Sequence, residues 1–143
     1  MTQMETQIEA LLKKPYWIID ILPQQVPADS AGQYFTVEEY YRKKPQIFVI
    51  REKQLNVLLK LNCYQDLFVE ELKKENPAPE ELKEALQSRY LNILTGNALI
   101  VSDPDDTYMT LYGPEEELLS LIRTLATAEG LFVWKGKDEW EIC

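Results

Sequence analysis

The stretch ALIVSDPDDTYMTLY, residues 98 to 112, contains two apolar runs that flank an acidic turn. Asp103 is a residue type that starts turns, and Pro104 has the fixed φ that suits the second position of a type I turn. The β-branched and aromatic residues on either side favour extended backbone. The pattern therefore predicts a β-hairpin in the second half of the chain.

A helix and a strand are predicted to follow this hairpin. Residues 113 to 130, GPEEELLSLIRTLATAEG, have Pro114 at the expected first helical position, acids in the first turn and a glycine at the end. The leucines and the isoleucine recur at helical spacing. Residues 131 to 134, LFVW, predict a final strand, and residues 135 to 143 are expected to form an exposed tail.

The first strand is predicted in PYWIIDILP, residues 15 to 23. Its apolar run, residues 16 to 22, is short, bounded by prolines and rich in isoleucine and aromatic residues, which is typical of a strand. A helix is predicted before it, at residues 3 to 13, because Thr2 and Glu5 have the spacing of a capping box.

Helices are predicted between the first strand and the hairpin. Residues 23 to 35 contain prolines and a glycine and predict a long loop, with a short helix over residues 36 to 43. Residues 46 to 75 lack both proline and glycine and have apolar residues at helical spacing. They predict one helix, or two helices broken near Asn62, although their apolar runs also fit strands.

A further helix is predicted to begin at Pro79 and to end at Gly96. Without the first helix, the order of elements is then β-α-β-β-α-β. This order predicts a ferredoxin-like α+β fold with an expanded helical first crossover and an extra N-terminal helix. A chain of 143 residues fits a single α+β domain over residues 1 to 143.

Composition excludes several classes of function. The chain has no histidine, so it lacks the commonest general base and zinc ligand. Its net charge is −9, from 15 basic and 24 acidic residues, which disfavours nucleic acid and weakly favours a basic partner. No glycine-rich phosphate loop, metal motif or cofactor motif is found. We therefore expect a non-enzymatic protein with no catalytic residue, cofactor or metal.

The same patterns predict a cytoplasmic protein that is not associated with a membrane. The longest run without a charge, residues 90 to 102, is shorter than the ~20 residues that span a bilayer. The N-terminus has no basic segment leading into an apolar one, so no signal peptide is predicted. The two cysteines do not form a disulfide framework.

One face of the predicted sheet is a candidate interaction surface. In the first strand, Trp17, Ile19 and Ile21 form the apolar side, which we expect the helices to cover, and Asp20 points to the other side. The predicted interaction surface consists of Tyr16, Ile18, Asp20, Leu22, Tyr108, Tyr112 and Trp134.

Because monomers seldom leave large apolar patches bare, we expect something to cover the predicted interaction surface. The cover could be a second copy of the chain, as in a homodimer, another protein or a flat ligand. An inhibitor or antitoxin-like binder of a basic partner is one version of this hypothesis. Residues 45 to 75 of the chain itself could also cover the surface, which would remove the reason for the hypothesis. Asp20 itself would be a solvated or tyrosine-bonded acid, or less often a polar contact in an interface or a catalytic residue.

A small-molecule-binding or enzymatic domain is the alternative. Its pocket would lie between the sheet and the helical block. Asp20, the loop over residues 23 to 35, Tyr34, Phe35, Tyr40 and Tyr41 would form the walls.

Two charged clusters complete the set of candidates. Asp103, Asp105 and Asp106 could bind a hard cation, but an acidic turn exposed to solvent explains them as well. The basic residues near Arg42 and Arg51 could bind an anion, whereas a solvated charged face is the simpler interpretation.

Overall fold

The computed structural model describes residues 2 to 136, which form a mixed helix and sheet structure. The α-helices in this range are α1 (Gln3–Leu11), α2 (Ala31–Arg42), α3 (Gln46–Asn62), α4 (Pro79–Ser88) and α5 (Glu116–Ala128). The strands are β1 (Tyr16–Asp20), β2 (Phe68–Val69), β3 (Lys74–Glu75), β4 (Leu91–Thr95), β5 (Ala98–Ser102), β6 (Met109–Tyr112) and β7 (Phe132–Lys135). Short 3-10 helices lie at Ala28–Ser30 and Glu70–Leu72. None of the helices in this range is long and apolar enough to cross a membrane.

The strands form one antiparallel sheet in the order β3-β2-β4-β5-β6-β1-β7. The predicted hairpin is confirmed as β5 and β6, joined by a turn in which the Asp106 amide donates to the Asp103 carbonyl at 3.1 Å. The predicted final strand is also present as β7, which extends to Lys135. Lys135 was expected in an exposed tail and belongs to β7 instead, and the prediction for residues 137 to 143 lies outside the described part of the chain.

The main core lies on the face of the sheet that carries Trp17, Ile19 and Ile21, as predicted. Ile19 is fully buried there, together with Leu111 from β6 and Leu58 from α3. Helix α3 contacts both α4 and α5, so these three helices cover this first face. Their burial supplies the main hydrophobic stabilisation of the fold.

The second face is partly covered by α1. Leu11 packs with Leu94 of β4 and Leu99 of β5 in a smaller apolar cluster. The predicted capping box is confirmed: the Glu5 amide donates to Thr2 Oγ1 at 3.1 Å, and Thr2 N donates to the Glu5 carboxylate. The N-terminal helix thus covers the β4–β5 half of this face.

Residues 45 to 75 do not cover the second face. Helix α3 lies on the first face, and its Val57, Leu58 and Leu61 are fully buried in the main core. Phe68 and Val69 belong to the sheet itself. The predicted interaction surface is therefore not covered by residues 45 to 75, although α1 covers part of the second face.

The second helix predicted within residues 46 to 75 is wrong. The chain after α3 forms β2, a 3-10 turn and β3, with Lys73 and Asn76 at φ 51°. The Asn76 side chain accepts from Leu67 N at 2.9 Å and so closes this small hairpin. The apolar residues of this segment fit a helical spacing only by chance. Pairing with β4 and the Asn76 bond stabilise the extended chain instead.

The prediction that the helix from Pro79 extends to Gly96 is also wrong. Helix α4 ends at Ser88, and residues 91 to 95 form β4, with Leu91 and Ile93 fully buried. Gly96, at φ +57°, makes the turn between β4 and β5 instead of ending a helix. Two apolar runs separated by Gly-Asn are a hairpin signal, which the helical interpretation overlooked.

The loop predicted over residues 23 to 35 is shorter than expected. Helix α2 begins at Ala31 instead of Thr36, after the 3-10 turn at Ala28–Ser30. Thr36 does not cap a helix; its hydroxyl donates to the Gly32 carbonyl one turn earlier. None of the residues of α2 is buried, so this helix contacts the rest of the protein only through a few half-buried side chains.

Candidate functional site

Asp20 is the last residue of β1, and it points to the second face of the sheet. Its directly paired neighbour on β7 is Phe132, and the preceding pair on that face is Ile18 with Trp134. The side chain of Asp20 is only 8% exposed. Its Oδ1 accepts from the Ile21 amide at 2.7 Å, so the carboxylate also fixes the chain where it leaves the strand.

A cavity of about 280 Å³ lies beside this carboxylate. One wall is the segment from Leu22 to Ala28, and the first turn of α2 supplies another wall through Ala31 and Tyr34. Trp134 of β7 completes the lining. We call this cavity the Asp20 pocket. Its volume is close to the lower end of the range for small-molecule sites, and its lining combines apolar groups with a few polar ones, as such sites do.

Burial raises the pKa of the Asp20 carboxyl above its ordinary value. The backbone amides of Ile21 and Leu22 and the indole N–H of Trp134 oppose this rise, and the charge of Glu38 adds to it. The Trp134 Nε1 atom is itself buried and makes no hydrogen bond of normal geometry within residues 2 to 136. Within residues 2 to 136, a buried carboxylate without a counter-charge and a buried indole N–H without a hydrogen bond of normal geometry thus lie beside one cavity.

Tyr34 connects the pocket to an acidic neighbourhood on the loop side. Its hydroxyl donates to Glu38 Oε2 at 2.7 Å, and this bond together with burial raises the pKa of Tyr34. Arg42 lies 3.6 Å from both the Glu38 and the Asp106 carboxylates and donates to the Asp105 carbonyl at 2.7 Å. These contacts attach α2 to the β5–β6 turn.

Arg51 is buried under the β5–β6 turn and holds it by hydrogen bonds. It is 2% exposed and donates to the backbone carbonyls of Asp103 and Asp106, to Ser102 Oγ at 3.1 Å and to Gln54 Oε1 at 2.7 Å. Burial lowers the pKa of its guanidinium, and the charges of the turn carboxylates oppose that effect. The interpretation of Arg51 as part of a solvated basic face is therefore wrong, because it is a buried structural clamp.

The acidic turn is held by hydrogen bonds of its own. Asp103 Oδ1 accepts from the Asp105 amide at 2.9 Å, which is a local turn contact. Within residues 2 to 136, no group of three or more carboxylate or cysteine side chains is arranged to hold a metal ion.

The residues of the predicted interaction surface divide between two places. Asp20, Leu22 and Trp134 line the Asp20 pocket. The other four line a shallow, open groove of about 590 Å³ on the second face, between the end of α1 and β6. We call it the tyrosine groove; its lining is Leu12, Lys13, Lys14, Tyr16, Ile18, Tyr108, Thr110 and Tyr112.

The residues of the predicted alternative pocket also divide. Asp20, Tyr34 and part of the loop over residues 23 to 35 do line one cavity. Phe35, Tyr40 and Tyr41 are not in its lining: Phe35 is 63% exposed, Tyr40 is 54% exposed, and the Tyr41 ring packs edge-on against Tyr40 at 5.2 Å. The Phe35 ring lies 5.8 Å from the Tyr34 ring but outside the cavity, and Tyr40 and Tyr41 lie about two helical turns farther along α2.

The location of the pocket also differs from the expectation. It was predicted between the sheet and the helical block, but Asp20 and Trp134 point to the opposite face. Trp134 was assigned only to the interaction surface. Its pairing with Ile18, two residues from Asp20, is a long-range contact that the sequence does not display.

Comparison of the chain with protein-family models, curated proteins and solved structures found no significant match.

Proposed function

We propose that the protein is a small-molecule-binding domain and that the Asp20 pocket is its binding site. The observation that carries this proposal is a cavity of about 280 Å³ in which a buried carboxylate lies beside the indole of Trp134 and the ring of Tyr34. Burying a carboxylate without a counter-charge is costly, and such groups cluster at sites that meet a ligand or a substrate.

A purely structural role of Asp20 at the end of β1 explains fewer of these observations than ligand binding does. The bond to the Ile21 amide explains why a side-chain acceptor stands at this position. An asparagine or a serine could accept the same bond without the cost of burying a charge. The cavity beside Asp20 does not follow from a role in ending the strand.

The pocket is tested by filling it. Ala31 is in the lining and Ala10 is an exposed residue of α1, so Ala31→Phe and Ala10→Phe are matched substitutions of helical alanines. Fragments that bind should shift the amide resonances of residues 22 to 31 and the indole resonance of Trp134 in ¹⁵N-labelled protein. Ala31→Phe should abolish these shifts and Ala10→Phe should preserve them. Fragment shifts that survive Ala31→Phe, or that map only to other surfaces, would contradict the proposal.

We propose protein interaction, with a second copy of the chain as the partner, as a second candidate function. The observation that favours it is that β7 is an edge strand of the sheet, in which Phe132 is 45% exposed. Its neighbour β1 contributes Tyr16 and Ile18 to the lining of the tyrosine groove. Edge strands with exposed apolar side chains readily pair with another chain, and symmetric pairing would use the same edge twice. A basic partner, which the net charge of −9 favours, is an alternative occupant.

Light scattering in solution tests this second candidate. A mass twice that of the 16.7 kDa chain, which returns to the monomer value in Phe132→Lys, would support self-association through β7. A monomer at high concentration would exclude the second copy as the occupant.

We also infer that β1, β5, β6, β7 and the helices between them form a ferredoxin-like unit. Their order in the sheet is β5-β6-β1-β7 with antiparallel neighbours, and α3, α4 and α5 lie on one face. Strands β4, β2 and β3 would extend this unit from one edge. The inference concerns the fold and carries no function.

A further inference from the structure

We propose that the Asp20 pocket selects a small organic cation, an ammonium or amidinium group carried on an apolar or aromatic body. This inference rests on the small-molecule-binding function proposed above and names the class of ligand. The cation would bind the carboxylate of Asp20, and its apolar body would pack on Trp134 and Tyr34.

The charge in the pocket is negative and uncompensated. Asp20 is the only lining residue with a carboxylate, and the lining within residues 2 to 136 includes neither lysine nor arginine. The charge of Glu38 acts on Asp20 and has the same sign. Arg42, which forms an ion pair with Glu38, is already engaged with Glu38, Asp106 and the Asp105 carbonyl. A cationic ligand would therefore supply the counter-charge that the chain does not place at Asp20.

The aromatic walls suit the same ligand. The face of an indole attracts an ammonium or guanidinium group, and the attraction grows where water is excluded. The β1–β7 pair already contains one such contact on its first face, where Lys135 Nζ lies 5.8 Å from the centre of the Trp17 ring. Trp134 presents an indole to the pocket on the second face, without a lysine or arginine of the pocket lining beside it.

The size of the cavity limits the ligand. The cavity has a volume of about 280 Å³, which accommodates an arylalkylamine or arylamidine with a single ring. Leu22, Val26 and Pro27 provide the apolar surface on which such a ring would pack.

The test uses three probes of nearly equal shape and different charge: benzylamine, benzyl alcohol and benzoate at pH 7. Binding is followed by titration of ¹⁵N-labelled protein, with the resonances of residues 22 to 31 and of the Trp134 indole as reporters. Benzylamine should bind most tightly. Asp20→Asn should weaken benzylamine roughly ten-fold or more, because it removes a charge-assisted hydrogen bond, and should leave benzyl alcohol unchanged. The spectrum of Asp20→Asn without probe verifies that this variant is folded.

The outcomes separate the two proposals. If benzyl alcohol or benzoate binds at these reporters as tightly as benzylamine, or if Asp20→Asn leaves benzylamine unchanged, the pocket binds small molecules but the cation inference is wrong. If none of the three probes shifts the reporter resonances at millimolar concentration, both the proposed binding function and the cation inference are wrong.

Discussion

Replacing Arg51 with alanine is expected to lower the free energy of unfolding by about 3 to 5 kcal/mol, as removal of one side of a buried charged network does in other proteins. The guanidinium is 2% exposed and donates to acceptors on Gln54, Ser102, Asp103 and Asp106. Alanine would leave all four acceptors without this donor. If each loss costs about 1 kcal/mol after partial repair by water, the total is about 4 kcal/mol.

The matched control is Arg42→Ala. Arg42 reaches the same turn, through Asp106 and the Asp105 carbonyl, but its side chain is 46% exposed. Water can replace most of its contacts, so we expect a loss below about 1 kcal/mol. Two arginines that hold one turn should therefore differ several-fold in their contribution, and burial is the physical reason for the difference.

Urea denaturation followed by circular dichroism measures both losses, with an unchanged dependence on urea as the sign that two-state unfolding is retained. The melting temperature of Arg51→Ala should fall by roughly 10 °C, since 1 kcal/mol corresponds to about 2 to 4 °C in a domain of this size. Equal losses in the two variants would refute the argument from burial. So would a loss in Arg51→Ala below 1 kcal/mol.

Three further substitutions test other parts of the structure. Asp20→Asn should raise the free energy of unfolding at pH 7, by about 1.4 kcal/mol for each unit by which burial raises the Asp20 pKa. The charged Asp20 lowers the free energy of unfolding of the wild type fully above the folded-state pKa and not at all below the ordinary value of 3.8. The stability gained in Asp20→Asn, measured by urea denaturation at pH 7 and at lower pH, should therefore shrink as the pH falls. Gly113→Ala should cost about 1 to 2 kcal/mol by thermal melting, because Gly113 has φ +65° and a Cβ there would lie 2.9 Å from Lys14 Cδ; an unchanged melting temperature would show that this turn adapts freely. Thr2→Ala removes the hydrogen bond to the Glu5 amide and should cost about 1 kcal/mol, with hydrogen exchange accelerated in α1 more than in the main core. Uniform acceleration across both regions would instead mean that α1 unfolds only with the whole chain.

Local signals identified those elements whose ends are marked by side-chain chemistry. Thr2 and Glu5 marked the start of α1, and Asp103 with Pro104 marked the β5–β6 turn. Residues 64 to 75 and 89 to 95 were assigned to helices because their apolar residues fit a helical spacing by chance. Residues 91 to 95 are a strand because they form a hairpin with β5, and residues 68 to 69 are a strand because they pair with β4 about 25 residues later.

The candidate site shows the same division. Alternation along β1 was sufficient to place Asp20 opposite the face of Trp17, Ile19 and Ile21. The start of α2 at Ala31 determined that Tyr34, and not Phe35 or Tyr40, lines the pocket. This start was missed because the prolines and the glycine of residues 23 to 35 indicated a loop, and Ser30, which stands at the N-cap of α2, makes no side-chain capping bond.

The sequence by itself determined the two faces of β1, the acidity of the chain, the absence of histidine and the hairpin at residues 98 to 112. These properties depend on composition or on neighbours a few residues apart. The tertiary structure alone decided that Trp134 meets Asp20, that Arg51 is buried beneath the acidic turn and that α1 covers half of the second face. Each of these contacts joins residues that are far apart in the chain, and each depends on the register of the sheet or on the packing of a helix, which no local pattern encodes.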